Sequence, residues 1–345
     1  MSKAKAIIYA FLAAVFYAIN VPLSKLLLRE IGPTTMAALL YLGAGIGIGI
    51  LSLVNKKDRA KSEKLTKTDV PFVIGMIVLD IAAPIFLMLG ISYGSSANAS
   101  LLGNFEIVAT TVIALFIFRE VVSKRLWSAI ALITLSSILL SFEGAHSFQF
   151  SYGSLFVLLA TVCWGVENNC TRNISSKSTY EIVVLKGILS GLGALVIALI
   201  KKEAMPGAGY IAMALLLGFV AYGLSIFLYV RAQNVLGAAK TSAYYALAPF
   251  VGAFLSFVFL REQLSWMYFV ALIVMIAGSI LVVADTLIRH HAHQHQHTFE
   301  HTHDGSTHTH TITHSHGHNH YVTDDKHRHR HTQKELERLP GVMHI

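Results

Sequence analysis

The chain is dominated by uninterrupted apolar runs about as long as a bilayer is thick. A hydrocarbon core of ~30 Å takes about 20 helical residues to cross, and runs of that length recur as far as residue 285. They place spans over roughly 6–28, 33–54, 71–90, 96–118, 126–142, 152–173, 180–200, 209–230, 238–260 and 265–285. Barrel strands would be half as long and would alternate polar with apolar residues, so helices are expected. Hydrophobic residues make up 54% of the chain and charged residues 13%, a balance that excludes a soluble domain of this size. The expected fold class is an all-α membrane protein of ten transmembrane helices.

The net charge of +8 sits in short loops and the C-terminal tail, where it sets orientation in lipid and does not suggest a nucleic-acid partner. With a cytoplasmic N-terminus, the inner segments hold Lys3, Lys5, the cluster Lys56, Lys57, Arg59, Lys61, Lys64 and Lys67, then Arg119, Lys124, Arg125, Lys177, Arg231, Lys240 and Arg289. The outer loops hold Arg29, Lys201, Lys202 and Arg261, with Lys25 near that edge. The positive-inside rule therefore puts both termini in the cytoplasm of a multi-pass cell-membrane protein. Lys3 and Lys5 before an apolar run imitate a signal peptide, but no small-residue cleavage motif follows and the run reads as the first span. Cys163 and Cys170 fall seven residues apart on one helix, roughly 10 Å along its axis, too far for a disulfide. Trp127 and Trp266 suit the membrane interface, where aromatic anchors concentrate.

The two halves repeat. A shift of 142 residues lays Phe118-Arg119-Glu120 over Leu260-Arg261-Glu262, and a shift of 147 lays Phe16-Tyr17-Ala18-Ile19-Asn20 over Cys163-Trp164-Gly165-Val166-Glu167. Residues 1–142 and 149–285 are expected to be five-helix repeats, followed by a tail over 290–345. Because five is odd, the repeats face opposite ways, the plan of many secondary transporters with a site near the midplane.

The run Leu217-Gly218-Phe219 through Tyr222-Gly223-Leu224-Ser225, then Ala248-Pro249-Phe250-Val251-Gly252 and Leu260-Arg261-Glu262, resembles the second half of an EamA-type member of the drug/metabolite transporter superfamily. Trp164-Gly165 keeps a pair common in that family, whereas Tyr17-Ala18 replaces it in the first half. Cys163 to Asn169, with the histidine-rich end, resembles one branch of the family. The resemblance implies transport of amino acids, drugs, sugars or other metabolites without ATP. The chain has no Walker-type phosphate loop.

An ionisable group at mid-bilayer costs at least ~2.5–3.5 kcal/mol on insertion scales, so each needs a partner, water or a role. Asp80 and Glu106 fall at the centres of the third and fourth spans. Glu167 lies about a turn nearer the cytoplasm in the sixth, and Lys186 at similar depth in the seventh, so a Glu167–Lys186 pair is expected. That pair is either a structural bridge or part of the transport site. Asp80 and Glu106 have no evident basic partner. A carboxyl in a low-dielectric setting can load and release a proton or hold a cation, and it can equally stay protonated in a helix–helix hydrogen bond. Asn98, Glu106 and Thr110 form a polar stripe on the fourth span, and Asn20, Tyr222 and Tyr245 are further candidates for a substrate wall. Tyr244 joins them as a third aromatic hydroxyl. Pro22, Pro84 and Pro249 would free the carbonyls of Ala18, Asp80 and Tyr245 and bend their helices. The glycines at 43, 45, 47 and 49, with Gly187 and Gly191, are expected to permit close helix contact.

From His290 onward, 17 of the 18 histidines occupy 56 residues with few apolar neighbours, so disorder is expected. Neutral imidazole is a ligand for zinc, nickel and cobalt. The candidate ligands are His293, His295, His297, His301, His303, His308, His310, His314, His316, His318, His320, His327, His329 and His331. The same tail would be a polycation at low pH, able to touch anionic lipid. No cofactor is required.

These readings favour a secondary transporter, an exporter of small polar metabolites, amino acids or drugs, coupled to protons or another cation or else facilitative. The alternatives are a divalent-metal exporter and a membrane metal sensor on a transporter scaffold. The apolar runs contain no histidine, which weighs against the metal exporter. No nucleophile–base constellation points to an enzyme. The expected partners are the bilayer, a small-molecule substrate and the coupling cation. A homodimer is compatible with all of these readings.

Overall fold

The computed structural model describes residues 2–54, 65–118, 123–143, 149–174, 177–236, 241, 244–303 and 306–321. Residues 1–285 form one compact unit and the tail forms another. Part of the basic loop read as cytoplasmic, the stretch 119–122, Lys240 and His327, His329 and His331 lie outside the described residues.

The first unit is helical. Its helices are α1 (Lys3–Ala18), α2 (Asn20–Leu27), α3 (Pro33–Val54), α4 (Val70–Tyr93), α5 (Ser96–Leu102), α6 (Phe105–Phe118) and α7 (Lys124–Ser141). After a two-residue ladder, β1 (Phe142–Glu143) with β2 (Gln149–Phe150), come α8 (Tyr152–Asn173), α9 (Thr179–Leu185), α10 (Gly191–Ile200) and α11 (Ala208–Gly218). α12 (Ser225–Leu236), α13 (Ala248–Leu260) and α14 (Trp266–Leu287) complete it. Serines start several of them, because a Ser hydroxyl accepts from an N–H of the first turn that would otherwise be unpaired. Ser95 takes Asn98 at 3.3 Å, Ser123 takes Leu126 at 3.0 Å and Ser178 takes Glu181 at 3.5 Å.

Among the described residues, seven helical stretches are long and apolar enough to cross a membrane. Three of the expected ten spans do not pass that test, each for a visible reason. The expected 96–118 span breaks at Gly103-Asn104 into α5 and α6. α8 has the length but carries Glu167, Asn168, Asn169 and Asn173 on its second half. The expected 238–260 span is interrupted at Ala246-Leu247, so Pro249 lies in the first turn of α13, where its missing N–H removes no helical hydrogen bond. Pro22 sits just after the break at Ile19 that separates α1 from α2, whereas α4 runs on through Pro84.

The surface and the interior are sorted as lipid requires. Large apolar side chains such as Phe116, Ile273 and Ile280 are exposed, while the buried face of α1 is Ala6, Ala10, Ala13 and Ala14. Small residues let helices approach where no hydrophobic effect drives them together. A Cβ on Gly45 would meet the backbone of Gly187 and Ile188, one on Gly43 the carbonyl of Leu215, one on Gly47 the ring of Phe219 and one on Gly191 the side chain and backbone of Leu42. Gly49 alone of the expected set faces open space. α3 thus packs on α10 and α11, α4 along α8, and α1 on α12 and α13. The stretches read as two repeats interlock and share one apolar core.

Carboxylates fasten one end of the unit. Glu203 accepts from the backbone N–H of Thr34 (3.1 Å) and Thr35 (2.8 Å) and from the Thr35 hydroxyl (2.8 Å) at the start of α3. Glu262 accepts from the N–H of Ser96 (2.8 Å) and Ala97 (2.9 Å) and the hydroxyl of Ser95 (2.8 Å) at the start of α5. Lys25 donates to the carbonyls of Ile91 and Gly94 at the end of α4. Anions at helix starts and cations at helix ends both complement the backbone dipole.

The tail, expected to be disordered, carries paired strands over the described residues 288–303 and 306–321. These form a two-stranded antiparallel ribbon, β3 (Ile288–His303) with β4 (Ser306–Tyr321). The physical reason lies in the alternation of His with Thr, Gln and Ser, a period of two that suits a strand. Counting apolar residues alone overlooks it.

Two outcomes follow from this packing. Gly187→Leu should lower the melting temperature of the detergent-solubilised protein by several degrees, about 1–3 kcal/mol of overpacking, whereas Gly49→Leu should leave it within about a degree. Partial burial pushes the Glu203 carboxyl up, but the hydrogen bonds from Thr34 and Thr35 outweigh it and hold the group below its ordinary value of 4.5. A depressed folded value contributes stability above about pH 4.5 that is lost as pH falls through the folded value. Glu203→Gln should therefore melt below wild type at neutral pH, by on the order of 1–2 kcal/mol, and the two melting curves should converge in acid.

Candidate substrate and coupling site

Lys186 sits at the end of α9, at the start of a π-helical turn over Lys186–Ser190, and a second such turn covers Phe219–Leu224 between α11 and α12. Such turns hold one extra residue and often mark functional positions. They carry Lys186 and Tyr222 into the interior.

The Lys186 ammonium lies 3.0 Å from Glu167 Oε1 and 3.1 Å from Asp80 Oδ2. The expected Glu167–Lys186 pair is present, and Asp80, for which the sequence offered no base, shares the same lysine. Asp80 is completely buried and Glu167 nearly so. Tyr41 donates to Asp80 Oδ1 at 2.9 Å, the Trp164 indole N–H donates to the Tyr41 hydroxyl at 3.4 Å, and Thr171 donates to Glu167. Four helical segments, α3, α4, α8 and the turn after α9, therefore meet at one charged centre. With both acids ionised the trio carries one net negative charge. The arrangement can accept a proton or a substrate cation without adding an unpaired charge to the interior.

An aromatic wall stands beside it. The Tyr41 and Tyr222 rings are 5.3 Å apart, Tyr17 lies 5.9 Å from Tyr222 and 5.8 Å from Tyr245, and Tyr229 lies 5.2 Å from Tyr245. Asn20 donates to the Tyr222 hydroxyl at 3.1 Å and accepts from Ser24 at 3.1 Å. The hydroxyls of Tyr245 and Ser225 are 3.3 Å apart. Tyr244, by contrast, packs against Phe11 at 5.1 Å.

Glu106 occupies the first turn of α6, a start made in mid-span by the break at Gly103-Asn104. It accepts from Asn168 at 2.7 Å, and Asn168 also donates to Thr110 at 3.2 Å. The expected stripe is corrected at Asn98, which the same break separates from Glu106 and which donates to the Leu140 carbonyl at 3.4 Å.

Sequence reasoning passed over Tyr41, Trp164, Asn168 and Tyr17 as members of this site. Trp164 and Asn168 flank Glu167 in a run already singled out for other reasons. Tyr41 offers no comparable signal, since it is one aromatic residue in a glycine-rich span. Cys163 and Cys170 are free thiols. Among the described residues of the helical unit, no three His, Cys, Asp or Glu side chains come together as a metal site.

The long apolar helices define a multi-pass membrane protein. The chain belongs to the EamA-like transporter family, which matches residues 4–142 and again residues 151–284. A protein of Methanothermobacter thermautotrophicus described as an uncharacterized transporter is 25% identical over 285 residues, 77% of this chain and 82% of its own length. The uncharacterized transporter YyaM of Bacillus subtilis is 21% identical over 258 residues, 71% of this chain and 82% of its own. A crystal structure described only as that of a protein shares the fold at a TM-score of 0.61 and 15% identity, covering 83% of this chain and 98% of the other.

Removing one member of a buried ion pair strands its partner, typically at about 3–5 kcal/mol. Lys186→Met should accordingly melt well below wild type. Combining it with Asp80→Asn and Glu167→Gln should recover most of the loss, because no unpaired charge then remains. Equal melting temperatures for wild type and Lys186→Met would show that the lysine is not paired inside the protein.

Proposed function

We propose that the protein is a secondary active transporter that exports small polar metabolites, amino acids or drugs by alternating access, with proton loading at the Asp80–Lys186–Glu167 centre. The observation that carries this reading is one lysine shared by two buried carboxylates at membrane depth. A single structural ion pair needs only one acid. The second acid gives the centre a place for a proton: with Asp80 protonated, Lys186 stays paired with Glu167, and with Asp80 ionised it bridges both. A substrate amine can take the position that the proton vacates. The tyrosines and Asn20 suit the remainder of a small amphipathic molecule, with ring faces for its apolar part and hydroxyls for its polar part.

Alternating access requires an end that closes and opens again. Glu203, Glu262 and Lys25 fasten one end onto the termini of α3, α4 and α5, which supports an outward gate held shut, with both chain termini cytoplasmic. The family matching each half in turn supports two related repeats of opposite orientation, with the site between them. Glu106, at an interrupted helix close to the centre, is the second coupling candidate. Half-helix termini inside membranes are common places for ions and substrates.

Purified protein in liposomes, supplied with a panel of amino acids and amphipathic amines, should concentrate its substrate when a pH gradient is imposed. Asp80→Asn and Glu106→Gln should abolish this accumulation, at least about tenfold, while leaving exchange of labelled for unlabelled substrate measurable. Wild-type gradient dependence in both variants would return the two carboxyls to a purely structural role.

A further inference from the structure

Histidines alternate with other residues along β3 through 291–297 and along β4 through 314–320. The register sets His291 opposite His318, His293 opposite His316, His295 opposite His314 and His301 opposite His308. Positions along a strand alternate between the two faces of a ribbon, and positions directly opposite share a face. The face that holds position 293 therefore holds every histidine of the two strands except His290. The other face holds Thr, Gln, Ser, Asn, Ala and Gly together with Ile288, His290, Glu300 and Tyr321. Two such independent alternations brought into phase by one register go beyond an abundance of histidine in the sequence.

Opposite positions of an antiparallel pair are about 4.5–5.5 Å apart between Cα atoms, and alternate positions along a strand about 7 Å apart. Two adjacent pairs thus place four histidine positions of one face at the corners of a small backbone quadrilateral. Neutral imidazole is a ligand of borderline divalent metals, which zinc and cobalt(II) commonly take in fourfold tetrahedral form.

We propose that the juxtaposition of His293, His295, His314 and His316, two neighbouring register pairs on one face of the ribbon, is a binding site for a divalent transition-metal ion of the zinc, cobalt and nickel class. The site is independent of the transport reading. It needs only the ribbon, and it stands whether or not Asp80 and Glu106 carry protons.

The test uses the full-length protein in detergent, stripped with a chelator and titrated with cobalt(II) chloride, read by its visible absorption bands and by calorimetry. One variant exchanges neighbours in β4 (Thr313→His with His314→Thr, Ser315→His with His316→Ser, Gly317→His with His318→Gly). It keeps the composition and the every-other-residue spacing but moves these three histidines to the opposite face. A second variant combines His293→Asn, His295→Asn, His314→Asn and His316→Asn. Wild type should bind one ion tightly with the intense bands of tetrahedral cobalt. Both variants should weaken that ion at least tenfold and lose the bands, with the melting temperature of the helical unit unchanged. Unchanged affinity and spectrum in the exchanged variant would overturn the proposal and leave an unordered histidine reservoir. Retention of the tight ion in the fourfold variant would overturn its location.

Discussion

Few interactions matter more to a chain like this than an ion pair in lipid. Lys186 cannot stay in the interior of a bundle surrounded by hydrocarbon unless anionic groups meet it there, and Asp80 and Glu167 do so at 3.1 and 3.0 Å. The requirement reaches outward from the pair. Asp80 must be held by α4 and Glu167 by α8, which fixes the long contact between those helices. Tyr41 must face Asp80, which sets the rotation of α3, and the glycines of α3 then let α10 and α11 approach closely enough to bring Lys186 into range. The small-residue packing and the charged centre are two parts of one arrangement.

The membrane character, most spans and the Glu167–Lys186 pair were legible in the chain because they rest on run length and helical depth, which sequence reports directly. The failures share a cause. The breaks at Ile19 and Gly103-Asn104 interrupt stretches that are largely apolar on both sides, so a hydropathy reading sees one helix where the structure has two. Asp80 meets Lys186 at the first residue of a π-turn, a contact between distant spans that no single helical wheel reports. The tail is a different case. Its lack of apolar residues argues against a core, but a two-stranded ribbon has no core to fill, and the backbone ladder and register carry the order.

Polar chemistry within the bundle is divided between fastening and exchange. The carboxylates at the fastened end accept from backbone N–H groups, which have no alternative protonation state near neutrality, so these contacts are suited to holding. At the centre, every partner of the acids is a side chain: an ammonium, a phenol, a carboxamide, a hydroxyl. Side chains can change rotamer or partner without unwinding a helix. The same residue type, a carboxylate, is therefore a clamp where it meets main chain and an exchangeable site where it meets side chains.

The π-turn at Lys186–Ser190 gives the seventh apolar stretch a phase slip. An extra residue advances the helical face by about 100°, so the part before the turn and the part after it answer to different angular frames. Lys186 addresses the acids in the first frame, while Gly191 and Ala194 meet their neighbours in the second. A single-residue deletion inside the turn would restore a regular helix and misalign one frame against the other. This short segment is thus unforgiving of length as well as of composition at Lys186 and Gly187.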